Sequence, residues 1–123
     1  MFDWWEYWKL AQDLAATGEE ARTRTAVSRA YYAAYHRVRS WAESHGFQTS
    51  LDPGVGVHGQ LWRWMASHAD PDANEVAEMG WKLRDQRTMC DYDDEVIDLG
   101  EDFAQGALDK AEDMCDAIRK LSR

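Results

Sequence analysis

The sequence predicts an all-α protein, a bundle of four to five helices that run up and down. Apolar residues recur at steps of three and four positions along nearly the whole chain, and no short window alternates strictly between apolar and polar residues. Only 2 prolines and 8 glycines interrupt the 123 residues. A hydrophobic content of 45% with 30% charged residues is typical of a folded globular chain, and the length fits one domain, residues 1–123.

The first two helices are predicted from their end signals. The first extends from a cap at Asp3 to Ala16 and closes at Gly18, because glycine is favoured just past a helix end. The second, from about Glu19 to His45, is the longest and ends at Gly46. Its inner face is defined by apolar residues at helical spacing: Val27, Ala30, Tyr31, Ala34, Val38 and Trp41.

Three further helices are predicted after a loop at 47–57, which is marked by the turn residues Asp52-Pro53-Gly54. The third helix is predicted from His58 to His68, and the fourth from Asp72 to Cys90 after the turn at Asp70-Pro71. The fifth is predicted from Asp94 to Leu121. Its apolar residues repeat at the spacing of bundle packing: Val96, Leu99, Phe103, Ala107, Met114, Ile118 and Leu121.

The charge of −9 is distributed unevenly along the chain. Residues 1–69 are neutral, whereas residues 70–123 contain 7 Lys and Arg against 16 Asp and Glu. No stretch approaches the roughly 18 apolar residues of a membrane span, and Asp3 and Glu6 stand where a signal peptide would be basic. We therefore expect a cytoplasmic protein with no membrane partner, in which Cys90 and Cys115 are reduced thiols.

Several chemistries lack their sequence patterns. The chain has no glycine-rich phosphate loop, no Cys-x-x-Cys, no Glu-x-x-His pair and no nucleophile elbow. The sequence therefore predicts neither a cofactor nor a metal site.

One face of the second helix is rich in arginine. Five arginines and no acidic residue fall between Arg22 and Arg39. At about 100° per residue, one arc collects Arg22, Thr25, Arg29, Tyr32, His36 and Arg39. Arginines interleaved with rings suit phosphates and unpaired bases, so Arg22, Arg29, Tyr32, His36 and Arg39 are the candidate nucleic-acid-binding residues. The alternative is a solvated face whose arginines pair with the acidic C-terminal half.

Arg87 falls in the middle of the apolar arc of the fourth helix, beside Gly80. A buried guanidinium without a partner is costly, so Arg87 must meet a carboxylate, face a cleft or lie at an interface. Asp91, four residues later, and Asp85 are the candidate partners. A structural ion pair and a functional arginine both fit this pattern.

Three segments together resemble the HEPN domains of prokaryotes: SRAYYAAYH at 28–36, His58 at the start of the third helix, and LRDQRTMCDYD at 83–93. The resemblance covers nearly the whole chain and implies a small all-α bundle that forms a homodimer. Such domains are often paired with a minimal nucleotidyltransferase in toxin–antitoxin or defence systems. Many of them cleave RNA without a metal, through an arginine followed four to six residues later by a histidine.

Arg87 matches the arginine of that motif, whereas Tyr92, Asp93 and Asp94 stand at the positions of its histidine. The resemblance thus implies a ribonuclease-type toxin or effector with Arg87, Tyr92 and Asp91 as candidate catalytic residues, Arg87 lying in a groove at the dimer interface. Tyr has a much higher pKa than His and is a poorer general acid or base near neutral pH. The alternative is therefore a non-catalytic HEPN module that binds RNA or a nucleotide, or docks a nucleotidyltransferase.

A third function left open is a helical scaffold with an aromatic interface, because 7 tryptophans exceed what one small core needs. Trp5, Trp62 and Trp81 lie off the main apolar stripes of their predicted helices. A tryptophan-rich core with a register shifted by one residue is the alternative.

Overall fold

The computed structural model describes residues 1–50, 54–96, 99 and 101–121. These residues form α-helices and no strand, so the predicted all-α class is confirmed. The helices are α1 (Trp5–Ala15), α2 (Glu20–Glu43), α3 (Val57–Ser67), α4 (Pro71–Tyr92) and α5 (Glu101–Leu121). Asp52 and Pro53 of the predicted turn lie outside the described residues.

The ends of α1 and α2 follow from local chemistry. The N-cap of α1 is Trp4 and not the predicted Asp3, but the carboxylate of Asp3 still accepts a hydrogen bond from the backbone N–H of Trp5 at 3.0 Å, which supplies a partner for one free N–H of the first turn. Gly18 and Gly46 adopt φ values of 73° and 103°, a region that side chains with a Cβ rarely enter. The chain therefore turns at the two glycines that the sequence marks.

The start of α5 differs from the prediction, because the helix begins at Glu101 and not at Asp94. A tertiary contact accounts for the difference. The guanidinium of Arg24 on α2 donates to the backbone carbonyls of Cys90 at 3.0 Å, Asp93 at 2.6 Å and Asp94 at 3.3 Å. Through Arg24, α2 thus fixes the backbone at the end of α4, where the sequence predicts the start of α5. Residues 97, 98 and 100 of the predicted fifth helix lie outside the described part of the chain.

Helix α2 is central, because it contacts each of the other four helices. The predicted inner face is confirmed, since all six of its residues are buried: Val27, Ala30, Tyr31, Ala34, Val38 and Trp41. The alanines leave room for the neighbouring helices to approach closely. No described helix is both long enough and apolar enough to cross a membrane.

The interpretation of Trp62 as lying off the apolar face is wrong, since Trp62 is 0% exposed. Its ring packs on Gly80 of α4, where a Cβ would lie 2.5 Å from ring atom Cε3. The close approach that Gly80 permits is therefore that of α3 in the same chain. Trp5 and Trp81 are half-buried, so the tryptophans contribute to the core and its margin.

Candidate functional site

Aromatic rings and guanidinium groups meet at one place in the fold. There, α2 and α4 come together with the first turn of α3. We call this group the Arg–Tyr–His cluster, and its members are Tyr31, Tyr32, Tyr35, His58, Arg84 and Arg87. Helical spacing brings the members of each helix together, since residues three and four positions apart share a face. The packing of α3 then adds the histidine.

Arg87 is the most buried charged residue in the described part of the chain, with 9% of the surface of the residue exposed. Its guanidinium lies 5.3 Å from the ring centroid of Tyr31 and 5.6 Å from that of Tyr32. Nη1 lies 3.5 Å from Oδ2 of Asp91, and Nε is buried without a hydrogen-bond partner. The predicted carboxylate partner is thus present at a long distance, and the tyrosine rings make up the rest of the environment through cation–π contact.

Arg84 lies one turn before Arg87 on the same face of α4. Its Nε is also buried without a partner, and its guanidinium lies 5.4 Å from the ring centroid of Trp81. Among the described residues, Arg84 forms no ion pair with a carboxylate, and Asp85 forms none with Arg87. The cluster therefore holds two guanidinium groups against one carboxylate, that of Asp91.

His58 is the second residue of α3, and its ring stacks on Tyr35 with centroids 4.2 Å apart. Burial, followed by the positive charges of Arg87 and Arg84, lowers the pKa of His58 to about 4. The imidazole is therefore neutral near pH 7. Burial raises the pKa of Tyr31, so its phenol stays protonated.

A short hydrogen-bond chain assigns the tautomer of His58. The indole N–H of Trp62 has no acceptor capacity and donates to the hydroxyl of Tyr31 at 3.3 Å. That hydroxyl lies 2.6 Å from Nδ1 of His58, which is the only acceptor within its reach among the described residues, so we assign the hydroxyl proton to this hydrogen bond. The neutral imidazole then carries its proton on Nε2, so the free edge of His58 is a hydrogen-bond donor.

Of the predicted nucleic-acid-binding residues, Tyr32 belongs to the cluster, and Arg29 and His36 border it. The guanidinium of Arg29 lies 5.2 Å from the ring centroid of Tyr32 and 4.7 Å from that of Tyr7. The ring of His36 stacks on Trp4 at 3.6 Å with 9° between the planes, and burial lowers its pKa. Arg29, Tyr32 and His36 are half-buried, so the structure brings these three together beside Arg87.

The two outer arginines of the α2 face pair with glutamates at the ends of α2. Arg22 binds Glu19 at 3.1 Å, and Arg39 binds Glu43 at 2.6 Å. Neither pairs with the acidic C-terminal half, which was the predicted alternative for this face. Arg39 also donates to the hydroxyl of Tyr35 at 3.3 Å, which places it at the edge of the cluster, whereas Arg22 lies outside it.

Of the candidate catalytic residues, Arg87 and Asp91 lie together and Tyr92 does not join them. Tyr92 is 74% exposed, and its side chain makes no hydrogen bond or ring contact within the described residues. Five residues of helix rotate it about 140° away from Arg87. Tyr92 therefore lies on a different face of α4.

Four members of the cluster were not among the predicted site residues: Tyr31, Tyr35, His58 and Arg84. Helical spacing relates Arg84 to Arg87 and could have identified it. The two tyrosines were assigned to the core or left without a role. No local signal indicates that His58 meets the tyrosines of α2, because that contact depends on how α3 packs.

Comparisons of the chain with protein-family models, with curated proteins and with solved structures find no match. Within the described ranges, no group of three or more His, Cys, Asp or Glu residues is placed to hold a metal ion. The chemistry available at the cluster is that of its guanidinium, imidazole and phenol groups.

Proposed function

We propose that the protein is a HEPN-like module that acts as a homodimer and binds single-stranded RNA through the Arg–Tyr–His cluster. The observation that carries this proposal is the pair of guanidinium groups of Arg84 and Arg87, which lie among aromatic rings with one carboxylate, Asp91, at 3.5 Å. Guanidinium groups bind phosphate oxygens, and rings stack on unpaired bases.

The distribution of charge also favours RNA binding at the cluster. The excess acidic residues fall in residues 70–123, while α2 presents Arg29 and His36 beside the cluster. An RNA strand that follows α2 would meet alternating cations and rings. The acidic residues of 70–123 that lie outside the cluster repel the strand and thereby favour this face.

The hydrogen-bond chain at His58 supports binding rather than cleavage. Attack by a 2′-hydroxyl needs a group that accepts its proton. The acceptor atom of His58, Nδ1, is occupied by Tyr31, and Tyr92 points away from Arg87. We therefore favour the non-catalytic HEPN module over the ribonuclease-type toxin. By the resemblance, its setting is a toxin–antitoxin or defence pair with a minimal nucleotidyltransferase.

The test is fluorescence anisotropy with a labelled single-stranded RNA and the Arg84→Gln, Arg87→Gln and Arg119→Gln variants. Arg119 is a matched control, because its replacement removes the same charge from an exposed site on α5, outside the cluster. We expect Kd to rise about tenfold or more for the two cluster variants and to change less than about twofold for the control. Binding should also weaken steeply between about 50 and about 200 mM salt.

Two further readouts accompany the titration. Circular dichroism checks that each variant folds, and Arg84→Gln keeps the test valid if the buried Arg87 is needed for folding. Sedimentation measures whether the parent protein and each variant form a dimer. RNA that stays intact with EDTA supports the binding module, whereas cleavage lost in Arg87→Gln would establish the ribonuclease. Absence of RNA binding by the parent protein, or equal loss in all three variants, contradicts the proposal.

A further inference from the structure

A groove lies between the C-terminal half of α2 and the last turns of α5. Its volume is about 360 Å³, within the range of roughly 300–1,000 Å³ that is usual for sites that bind small molecules. Its lining residues come from both helices: Arg37, Ser40, Trp41, Ser44, Ile118 and Arg119. No member of the Arg–Tyr–His cluster lines it, so the groove is a separate feature of the surface.

The groove has an apolar base and a polar rim. Trp41 is 8% exposed and Ile118 is 4% exposed, so these two core residues form the base. Ser40 is exposed, and the side chain of Arg119 is 57% exposed, which places both at the rim. A ligand that enters the groove therefore meets apolar surface below and polar groups above.

Two polar groups of the groove are already engaged within the chain. The hydroxyl of Ser44 donates to the backbone carbonyl of Trp41 at 2.7 Å. The guanidinium of Arg119 pairs with the carboxylate of Asp116 on α5. Neither Ser44 nor Arg119 therefore has to find a partner outside the chain.

Three donors of α2 in the groove have no acceptor among the described residues. The guanidinium of Arg37 forms no ion pair or hydrogen bond there, and it lies 5.7 Å from the ring centroid of Trp5. Within the same part of the chain, the hydroxyl of Ser40 makes no hydrogen bond, and the indole N–H of Trp41 is buried without a partner. Residues three and four positions apart share a helix face, so the three donors lie together within about one turn of α2.

We propose that this groove binds a small monocarboxylate with an apolar body. A carboxylate is planar and accepts two parallel hydrogen bonds from a guanidinium, which suits Arg37, and the hydroxyl of Ser40 donates to one of its oxygens. The apolar body packs on Trp41 and Ile118 at the base. The one guanidinium of the groove that lacks a carboxylate among the described residues balances one negative charge, so the groove fits a monocarboxylate better than a doubly charged phosphate.

The experiment is an NMR titration that follows the indole N–H signals of isotope-labelled protein. The signal of Trp41 is assigned by its absence in Trp41→Phe. The probes are 3-phenylpropionate and octanoate, with acetate as the control without an apolar body and 3-phenylpropanol as the control without a charge. We expect the Trp41 signal to shift saturably with at least one of the two probes, at a Kd about tenfold or more below those of both controls.

Variants then test the donors. Arg37→Gln should raise Kd about tenfold or more and Ser40→Ala about threefold, because each removes a donor to the carboxylate. Arg22→Gln is the matched control, since it removes a guanidinium that pairs with Glu19 at the other end of α2, and its Kd should change less than about twofold. Ser40 is exposed, so Ser40→Ala keeps the test valid if Arg37→Gln does not fold.

The proposal is overturned if neither carboxylate gives a saturable shift, if 3-phenylpropanol binds as tightly as 3-phenylpropionate, or if Arg37→Gln and Arg22→Gln bind equally well. Tighter binding of phenylphosphonate, a dianion with the same ring, overturns the assignment to a monocarboxylate. None of these outcomes changes the result expected for RNA, because the cluster contributes no residue to the groove.

Discussion

The ring of Trp62 lies so close to Gly80 that a Cβ on Gly80 would come within 2.5 Å of ring atom Cε3. This contact sets the distance between α3, which supplies His58, and α4, which supplies Arg84 and Arg87. Trp62 is fully buried, and its indole N–H binds Tyr31 of α2. One side chain therefore joins the three helices that build the cluster.

We expect Gly80→Ala to destabilise the protein by roughly 1–3 kcal/mol, because the added methyl group displaces the ring of Trp62. Gly106→Ala is the matched control, since Gly106 lies inside α5 with nothing within 4 Å of an added Cβ. The control should be neutral or gain up to about 1 kcal/mol from the better helix propensity of alanine. Urea unfolding measures both, and equal stability of the two variants would show that the ring moves without cost.

We expect Arg24→Ala to cost about 1–3 kcal/mol, because three backbone carbonyls at the end of α4 lose their donor. Arg22→Ala removes an arginine two positions away whose side chain is 52% exposed and pairs with Glu19. That change should stay within about 0.5 kcal/mol. Thermal unfolding of both variants tests this, and a loss as small as that of Arg22→Ala would refute the role of Arg24.

His58 makes stability depend on pH. Its folded pKa, about 4, lies below its ordinary value of 6.5, so between these pH values the unfolded chain binds the proton more readily. The contribution of neutral His58 to the free energy of unfolding is therefore complete above about pH 6.5 and falls as the pH drops toward 4. NMR titration of the imidazole should show the low midpoint, and Arg84→Gln should raise it. His58→Gln should reduce the stability difference between neutral and acidic pH, and a midpoint near 6.5 would be inconsistent with the neutral imidazole.

The two cysteines should react slowly in the folded protein. Both are free and buried, and burial raises the pKa of each thiol to about 11. At mildly alkaline pH the thiolate fraction, which is the reactive form, is therefore reduced roughly hundredfold from its ordinary level. A chromogenic thiol reagent should label both groups promptly in denaturant and slowly without it. Cys115→Ala isolates Cys90, and fast labelling of the folded variant would contradict its burial.

The helices could be predicted from the sequence because their ends depend on nearby residues. Asp3, Gly18 and Gly46 act within a few positions of the helices that they bound. The start of α5 could not be predicted in this way, since Arg24 binds the carbonyl of Cys90 from 66 positions away. Register on a short helix was equally uncertain, and Trp62 was assigned to the wrong face for that reason.

Part of the candidate site could also be predicted. Arg87 stands out because a guanidinium on an apolar arc violates the usual pattern of burial. Arg29, Tyr32 and His36 follow from helical spacing. His58 was missed as a site residue because its contacts with Tyr31 and Tyr35 exist only after α3 has packed on α2.

Because α2 contacts every other helix, removing any one neighbour leaves most of its surface covered. The amide protons in its middle, from Ala26 to Val38, therefore exchange with solvent only when the whole molecule unfolds, at the free energy of global unfolding. Helix α1 contacts α2 and α5 alone among the described helices. Its amides should exchange through a smaller local opening, one that uncovers His36 and leaves the hydrogen bond between Tyr31 and His58 intact.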